Sequence, residues 1–266
     1  MACRSAVTLA LSLALLLGGC ATPTPDTVER LLARVGDTPL LLIGEQHDAP
    51  EHQALQQAIV ESLARGNQLV AVVMEMVDAG HDTHGLPTSA SEAQVREALA
   101  WRDAGWPWQT YGPVVMAAVK AGVPVFGGNL PRIAMRTAMI DRSLDQSVSK
   151  AVFDQQREGI REAHCDLLPP NQLAPMTRIQ LARDRSMAQV ATALVQRGKT
   201  VLLIAGNGHV RTDLGVPLHL ASQLPYRAVV ARAGEAARDV PAHAYWDTPA
   251  LPERDHCAQL HERFKR

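Results

Sequence analysis

Four short apolar runs decide the fold class of this chain. Residues 40–43, 69–74, 123–126 and 201–205 are rich in Leu, Val and Ile, and each stops at a glycine or a polar residue. Continuous apolar runs of this length, without alternation, mark strands buried on both faces, which belong to parallel sheets covered by helices. Helical segments fill the intervals. The first is expected to start near Asp48 as a cap, with Pro50 and Glu51 in its first turn, and to run to about Arg65, where Gly66 and Asn67 stop it. A second should follow residues 89–91, and a third should start after Gly112 and Pro113 and end at Gly122. Strand alternating with helix predicts an α/β fold with a largely parallel sheet. Residues 226–231 and 243–246 can add further strands.

The rhythm breaks between residues 126 and 201, which hold helical pattern and no convincing strand. Residues 133–163 and 175–197 read as helices, divided by the loop 164–170. An inserted helical subdomain is therefore expected over 132–198, inside an α/β domain made of 39–131 and 199–266.

The first nineteen residues stand apart. Arg4 precedes an apolar run, residues 6–17, that ends in Leu17, Gly18, Gly19 and Cys20. That run is short for a permanent span, which needs about 20 apolar residues, and has the layout of a cleaved signal peptide with a lipobox. Cys20 then becomes a lipid-bearing first residue, palmitate included, and residues 21–27 a tether within the 20–38 stretch that leads into the domain. Anchoring by several acyl chains is essentially permanent.

About 245 residues would remain, enough for one large α/β domain, and 47% hydrophobic residues suffice for its core. The formal charge of −1, made more acidic by the loss of Arg4, argues against nucleic acid as a partner. Of the four cysteines, Cys165 and Cys257 are the two left free after processing. In an oxidising compartment they would pair, the alternative being two separate buried or ligating thiols.

Ligands of open parallel sheets bind beyond the carboxyl ends of the strands. Here those ends carry Glu45 and His47, then Glu75, then Asn129 and Arg132, then Asn207 and His209. Both histidines follow a glycine by three residues. Two imidazoles with two carboxylates can bind a divalent metal or move protons. His52, His81, His84, His219, His243, His256 and His261 read as structural. Arg132 and Arg211 flank the same edge and could hold an anionic group. Trp101, Trp106, Trp108 and Tyr111 cluster within eleven residues, as a satellite core or as a wall for a flat ligand.

GEQHD at 44–48, ME at 74–75, WPWQTYGPVV at 106–115, PVFGGNLPR at 124–132, HCDLLP at 164–169, QLARDRSMA at 180–188 and AGNGHVRTDLGVP at 205–217 form a joint signature. With these motifs the chain, from about Leu40 to Leu260, resembles the ChaN-like haem-binding lipoproteins, grouped with the Tiki and TraB proteins and similar to erythromycin esterases. The resemblance implies an α/β domain with a small helical domain, attachment to the outer membrane facing the periplasm, and a role in haem or iron acquisition with an outer-membrane uptake machinery. It also implies that Glu45, His47, Glu75 and His209 match the superfamily's site positions. For the axial ligand the family points to a tyrosine, and this chain has Tyr111, Tyr226 and Tyr245, none of them in the insertion. His164 is the insertion's imidazole, so the ligand is His164 or one of those tyrosines. Leu167, Leu168, Leu173 and Met176 could supply the apolar slot, and Arg132, Arg178 or Arg211 could meet the propionates. Haem could also be shared by a homodimer.

Three functions follow from these features. One is haem binding without turnover. Another is a hydrolase in which Glu45, His47, Glu75 and His209 activate water, with or without a metal. The third is an interaction protein with a vestigial site. The absence of a Gly-x-Ser-x-Gly elbow disfavours a serine hydrolase.

Overall fold

The computed structural model describes residues 27–264. The signal segment, Cys20 and residues 21–26 of the tether lie outside the described residues.

Six strands, β1 (Leu40–Glu45), β2 (Leu69–Asp78), β3 (Val125–Asn129), β4 (Thr200–Gly206), β5 (Tyr226–Ala233) and β6 (Ala244–Thr248), form one sheet in the order β3-β2-β4-β1-β5-β6. Every pairing is parallel. The three central strands, β2, β4 and β1, are apolar on both faces. Leu41, Ile43, Val72, Met74, Leu202 and Ile204 point to one core, and Leu40, Leu42, Val73, Val201 and Leu203 to the other. Helices α1 (Val28–Val35), α2 (Pro50–Arg65), α3 (Glu92–Ala98) and α4 (Trp108–Lys120) bury their apolar stripes in the first core.

The insertion contains α5 (Arg132–Ile140), a 3-10 turn, α6 (Lys150–Ala163) and α7 (Pro170–Ala193). It is not a self-contained unit. Met187, Ala188 and Ala191 of α7 are part of the second core, against Val73 and Leu203 of the sheet. Beyond β4 lie the single turn α8 (Asn207–Val210) and, at the C-terminus, α9 (His256–Phe264). No helix among the described residues is long and apolar enough to cross a membrane.

Several expectations are corrected in detail. α1 lies in the stretch expected to lead into the domain and adds a helix that was not named there. Asp48 does not cap α2, whose N-cap is Ala49 with Pro50 as first helical residue. α4 starts at Trp108, five residues before Pro113, because the Asp103 carboxylate accepts the Trp108 N–H and supplies a cap from outside the helix. Glu45 and Glu75 are strand residues, not residues after strands. Cys165 and Cys257 form a disulfide with Cα atoms 5.6 Å apart, tying the turn after α6 to α9.

Candidate functional site

Glu45 ends β1 with its side chain fully buried, so each lone pair needs a donor. Four donors supply them: Tyr111 Oη at 2.6 Å and His47 Nδ1 at 2.7 Å to Oε1, Gln53 Nε2 at 2.7 Å and Gln56 Nε2 at 2.5 Å to Oε2. Gln53 and Gln56 sit three apart on α2, hence on one face. Burial and the Glu45 charge push the Tyr111 hydroxyl far above its ordinary range, so it is a donor only.

Glu75 is just as buried, on β2. Its Oε2 accepts the Gly206 N–H at 2.8 Å, and its Oε1 lies 2.5 Å from Arg183 Nη2 and 3.3 Å from His209 Nε2. Arg183 is held in turn by Asn129 at 2.9 Å. On its other side His209 donates from Nδ1 to the buried Asp184 carboxylate at 2.5 Å. Burial alone would neutralise His209, but Glu75 and Asp184 outweigh it and raise its pKa to about 9. Burial likewise opposes the Glu75 charge, and His209, Arg183 and His47 overcome it, leaving the carboxyl far below its usual range.

His47 joins the two halves. Its Nδ1 donates to Glu45, its Nε2 is 4.0 Å from Glu75, and its side chain is 42% exposed. Burial lowers its pKa, and the Glu45 hydrogen bond with the Glu75 and Glu45 charges more than reverse this. The Trp106 ring meets it edge-on at 4.8 Å. The tryptophan cluster thus serves both as core, through Trp108 and Tyr111, and as a wall for His47. A cavity of about 380 Å³ opens beside His47, lined by Asp48, Gln53, Gln109 and Pro113 among others.

Glu45, His47, Glu75 and His209 therefore meet at one edge of the sheet. They do not suit a divalent metal. Every Glu45 oxygen is taken by donors, Glu75 faces Arg183, His209 and a backbone N–H, and the two nitrogens of His209 face Asp184 and Glu75. Among the described residues no group of three or more His, Cys, Asp or Glu side chains could hold a metal ion. Gln53, Gln56, Gln180, Arg183 and Asp184 escaped the reading of strand ends because they come from helices. Their signal was polar residues spaced three and four apart: Gln180, Arg183 and Asp184 share one face of α7.

The family described as "Haem-binding uptake, Tiki superfamily, ChaN" matches residues 31–220. The chain belongs to this ChaN family. Among solved structures, ChaN of Campylobacter jejuni, described by its cofacial haem binding, is 24% identical with a TM-score of 0.68, covering 82% of this chain and 90% of that one. That likeness concerns the fold. The type III effector HopBA1 is 14% identical with a TM-score of 0.46, covering 84% and 94% of the two chains. No curated protein matches significantly.

The haem candidates of this ChaN family member separate by exposure. Tyr111 is 1% exposed and bound to Glu45, which removes it as an iron ligand. Tyr245 donates to the Val240 carbonyl beneath the Arg232 guanidinium, and Tyr226 begins β5, at the end of the strand away from the site. His164 is half-buried at the end of α6. Its Nδ1 donates to the Ile160 carbonyl at 2.8 Å, which leaves the Nε2 lone pair available. Leu167, Leu168, Leu173 and Met176 are half-buried near it in sequence and belong to none of the three buried clusters. A cleft of about 490 Å³ runs from Ile160 and Ala163 to Gln180, Gly208, Arg211 and Leu214, next to the His209 pair. Of the arginines, Arg178 is used up by Asp145 and the Met139 carbonyl, Arg211 is gripped by Asp213 on the cleft wall, and Arg132 is exposed at the start of α5.

Proposed function

We propose that the chain is a haem-binding lipoprotein of haem uptake, lipid-anchored at Cys20 in the outer membrane and facing the periplasm, with His164 as an axial ligand. The observation that carries the ligand is the His164 tautomer: a carbonyl can only accept, so Nδ1 keeps the proton and Nε2 is free to bind iron. The cleft along α6, lined by Ile160, Ala163 and Leu214 together with Gln156 and Gln180, is the nearest open space to the end of that helix, and Arg211 on its wall can share its charge with a propionate. Haem supplies the iron centre. The protein's part is to present the imidazole and exclude water. Titration of the full chain with haemin should give a Soret shift that His164→Ala weakens about tenfold or more, the order expected when an axial bond is lost. No shift at micromolar haemin would overturn the reading. A homodimer sharing haem would make binding depend on protein concentration, and uptake machinery at the outer membrane is its natural partner.

The lipid anchor is supported by the lipobox at residues 17–20 and by the Cys165–Cys257 disulfide, which belongs in an exported chain. Cys20→Ala should move the protein from the membrane fraction to the soluble one.

A second reading, a hydrolase, rests on the two imidazole–carboxylate pairs that face Glu75. With Nδ1 held by Glu45, neutral His47 can accept a water proton at Nε2 while the water oxygen attacks an ester or amide carbonyl in the adjoining cavity. Turnover of an ester and peptide panel that His47→Ala abolishes would support it, and no turnover at any pH would remove it.

A further inference from the structure

We propose that the outer face of α5 docks on an anionic phospholipid surface, with Ile133 and Ile140 entering the acyl boundary and Arg132 and Arg136 meeting the headgroups. This goes beyond haem binding and needs no lipid on Cys20.

The two faces of α5 differ from those of an ordinary surface helix. Inward, Ala138 packs with Leu144 and with Ala182 of α7, and Met135 and Met139 are half-buried. That burial follows the helical period, so the residues left outside, Arg132, Ile133, Arg136, Thr137 and Ile140, fall on a single stripe. A stripe turned to water should be polar. Here Ile133 is 90% exposed and Ile140 78%, and seven residues apart they lie nearly in line, two turns from each other. Among the described residues the one other exposed large hydrophobic is Leu218, at 37%, so the apolar exposure is concentrated on this helix. Exposed apolar side chains gathered on one face mark a contact surface.

Charge selects the partner. Arg136 sits between the two isoleucines on the stripe and Arg132 beside the first, and among the described residues neither guanidinium makes a hydrogen bond or ion pair. The acids nearest in sequence are already engaged: Asp141 accepts from Ser143, and Asp145 pairs with Arg178. The face therefore presents unpaired positive charge around an apolar pair. Against a second copy across a twofold axis, each set of arginines would meet the same set, and like charges repel. A small ligand needs a concave wall, and the cavities beside His47 and along α6 are lined by no residue of α5. A bilayer interface satisfies both components at once. It takes isoleucine into the acyl boundary, while the arginine stems lie along the apolar surface and their guanidinium groups reach phosphate oxygens.

The test uses the mature chain from Ala21 on, which contains every described residue and carries no lipid, in sedimentation with vesicles. It should bind vesicles that contain phosphatidylglycerol, release in high salt, and bind phosphatidylcholine vesicles far more weakly. Arg132→Gln/Arg136→Gln should weaken binding by about 30-fold, roughly fivefold for each arginine. Ile133→Ser/Ile140→Ser should weaken it by about tenfold or more, and Leu218→Ser should leave it unchanged. All these side chains are exposed, so melting curves should match that of the wild type. Absence of binding to phosphatidylglycerol vesicles, or binding that ignores the isoleucine and arginine variants, overturns the proposal. So does self-association without vesicle binding that Ile133→Ser/Ile140→Ser abolishes, which would assign the face to a second copy.

Discussion

Each buried carboxylate of the site survives because cations and donors surround it, and the pH response of the protein follows. His209 binds its proton more tightly folded, at about 9, than unfolded, near the ordinary 6.5. Its contribution is complete below about 6.5 and is lost as pH rises toward 9, a change of order 3 kcal/mol. Glu75 behaves oppositely, because its pKa is depressed. Its contribution is present above the ordinary 4.5 and is lost as pH falls below it. Urea midpoints should therefore decline toward both acid and alkali, and His209→Gln should flatten the alkaline limb. An alkaline limb unchanged in His209→Gln would refute this assignment. Glycines at the strand ends can be separated in the same way. A Cβ at Gly127 would sit 2.0 Å from the Asp78 carbonyl oxygen, which is backbone, so Gly127→Ala should destabilise by about 2 kcal/mol or more. A Cβ at Gly206 would meet His47 Nε2 at 2.9 Å, and that imidazole is half-exposed and can swing aside. Gly206→Ala should thus displace His47 with a smaller loss of stability, which comparison of melting curves with His47 NMR shifts would show.

Among the elements, α7 joins the site to the core. Gln180, Arg183 and Asp184 serve the polar cluster, and Met187, Ala188 and Ala191, one to two turns later, pack on the sheet. Met187→Ala should cost about 2–5 kcal/mol and also loosen the Arg183–Glu75 pair, since the helix that carries both moves as one body. By contrast the start of α3 is local. Its capping box, Ser91 with Gln94, touches nothing of the site, so Ser91→Ala should cost about 1 kcal/mol and leave haem binding unchanged. Chemical denaturation paired with haemin titration separates the two cases.

For the whole molecule the disulfide is a long-range tie, joining cysteines 92 positions apart in sequence. Closing a loop of that length stabilises by about 4.6 kcal/mol in the chain-entropy picture. The net loss in Cys165→Ser/Cys257→Ser should be smaller, because residues 256–259 and 261–262 of α9 are exposed and that segment regains freedom in the folded state too. Hydrogen exchange should rise over residues 256–264 before it rises in the sheet.

What the sequence determined by itself was the set of buried strands and the polar residues that end them. Apolar runs, glycines and the residues after them are local signals, and a parallel sheet has only one edge where such ends can meet. The pairing of Cys165 with Cys257 was likewise expected from the cysteine count. What only the tertiary structure decided was which partners those residues take. Tyr111 reads as a haem candidate in sequence and becomes a donor to Glu45, because α4 packs beside α2 over the first core and buries the hydroxyl. Arg183 and Asp184 look like ordinary helix charges until α7 lies across the sheet. His209 reads as a metal ligand until that packing places it between two carboxylates, where burial strengthens each charge and keeps the proton on the ring.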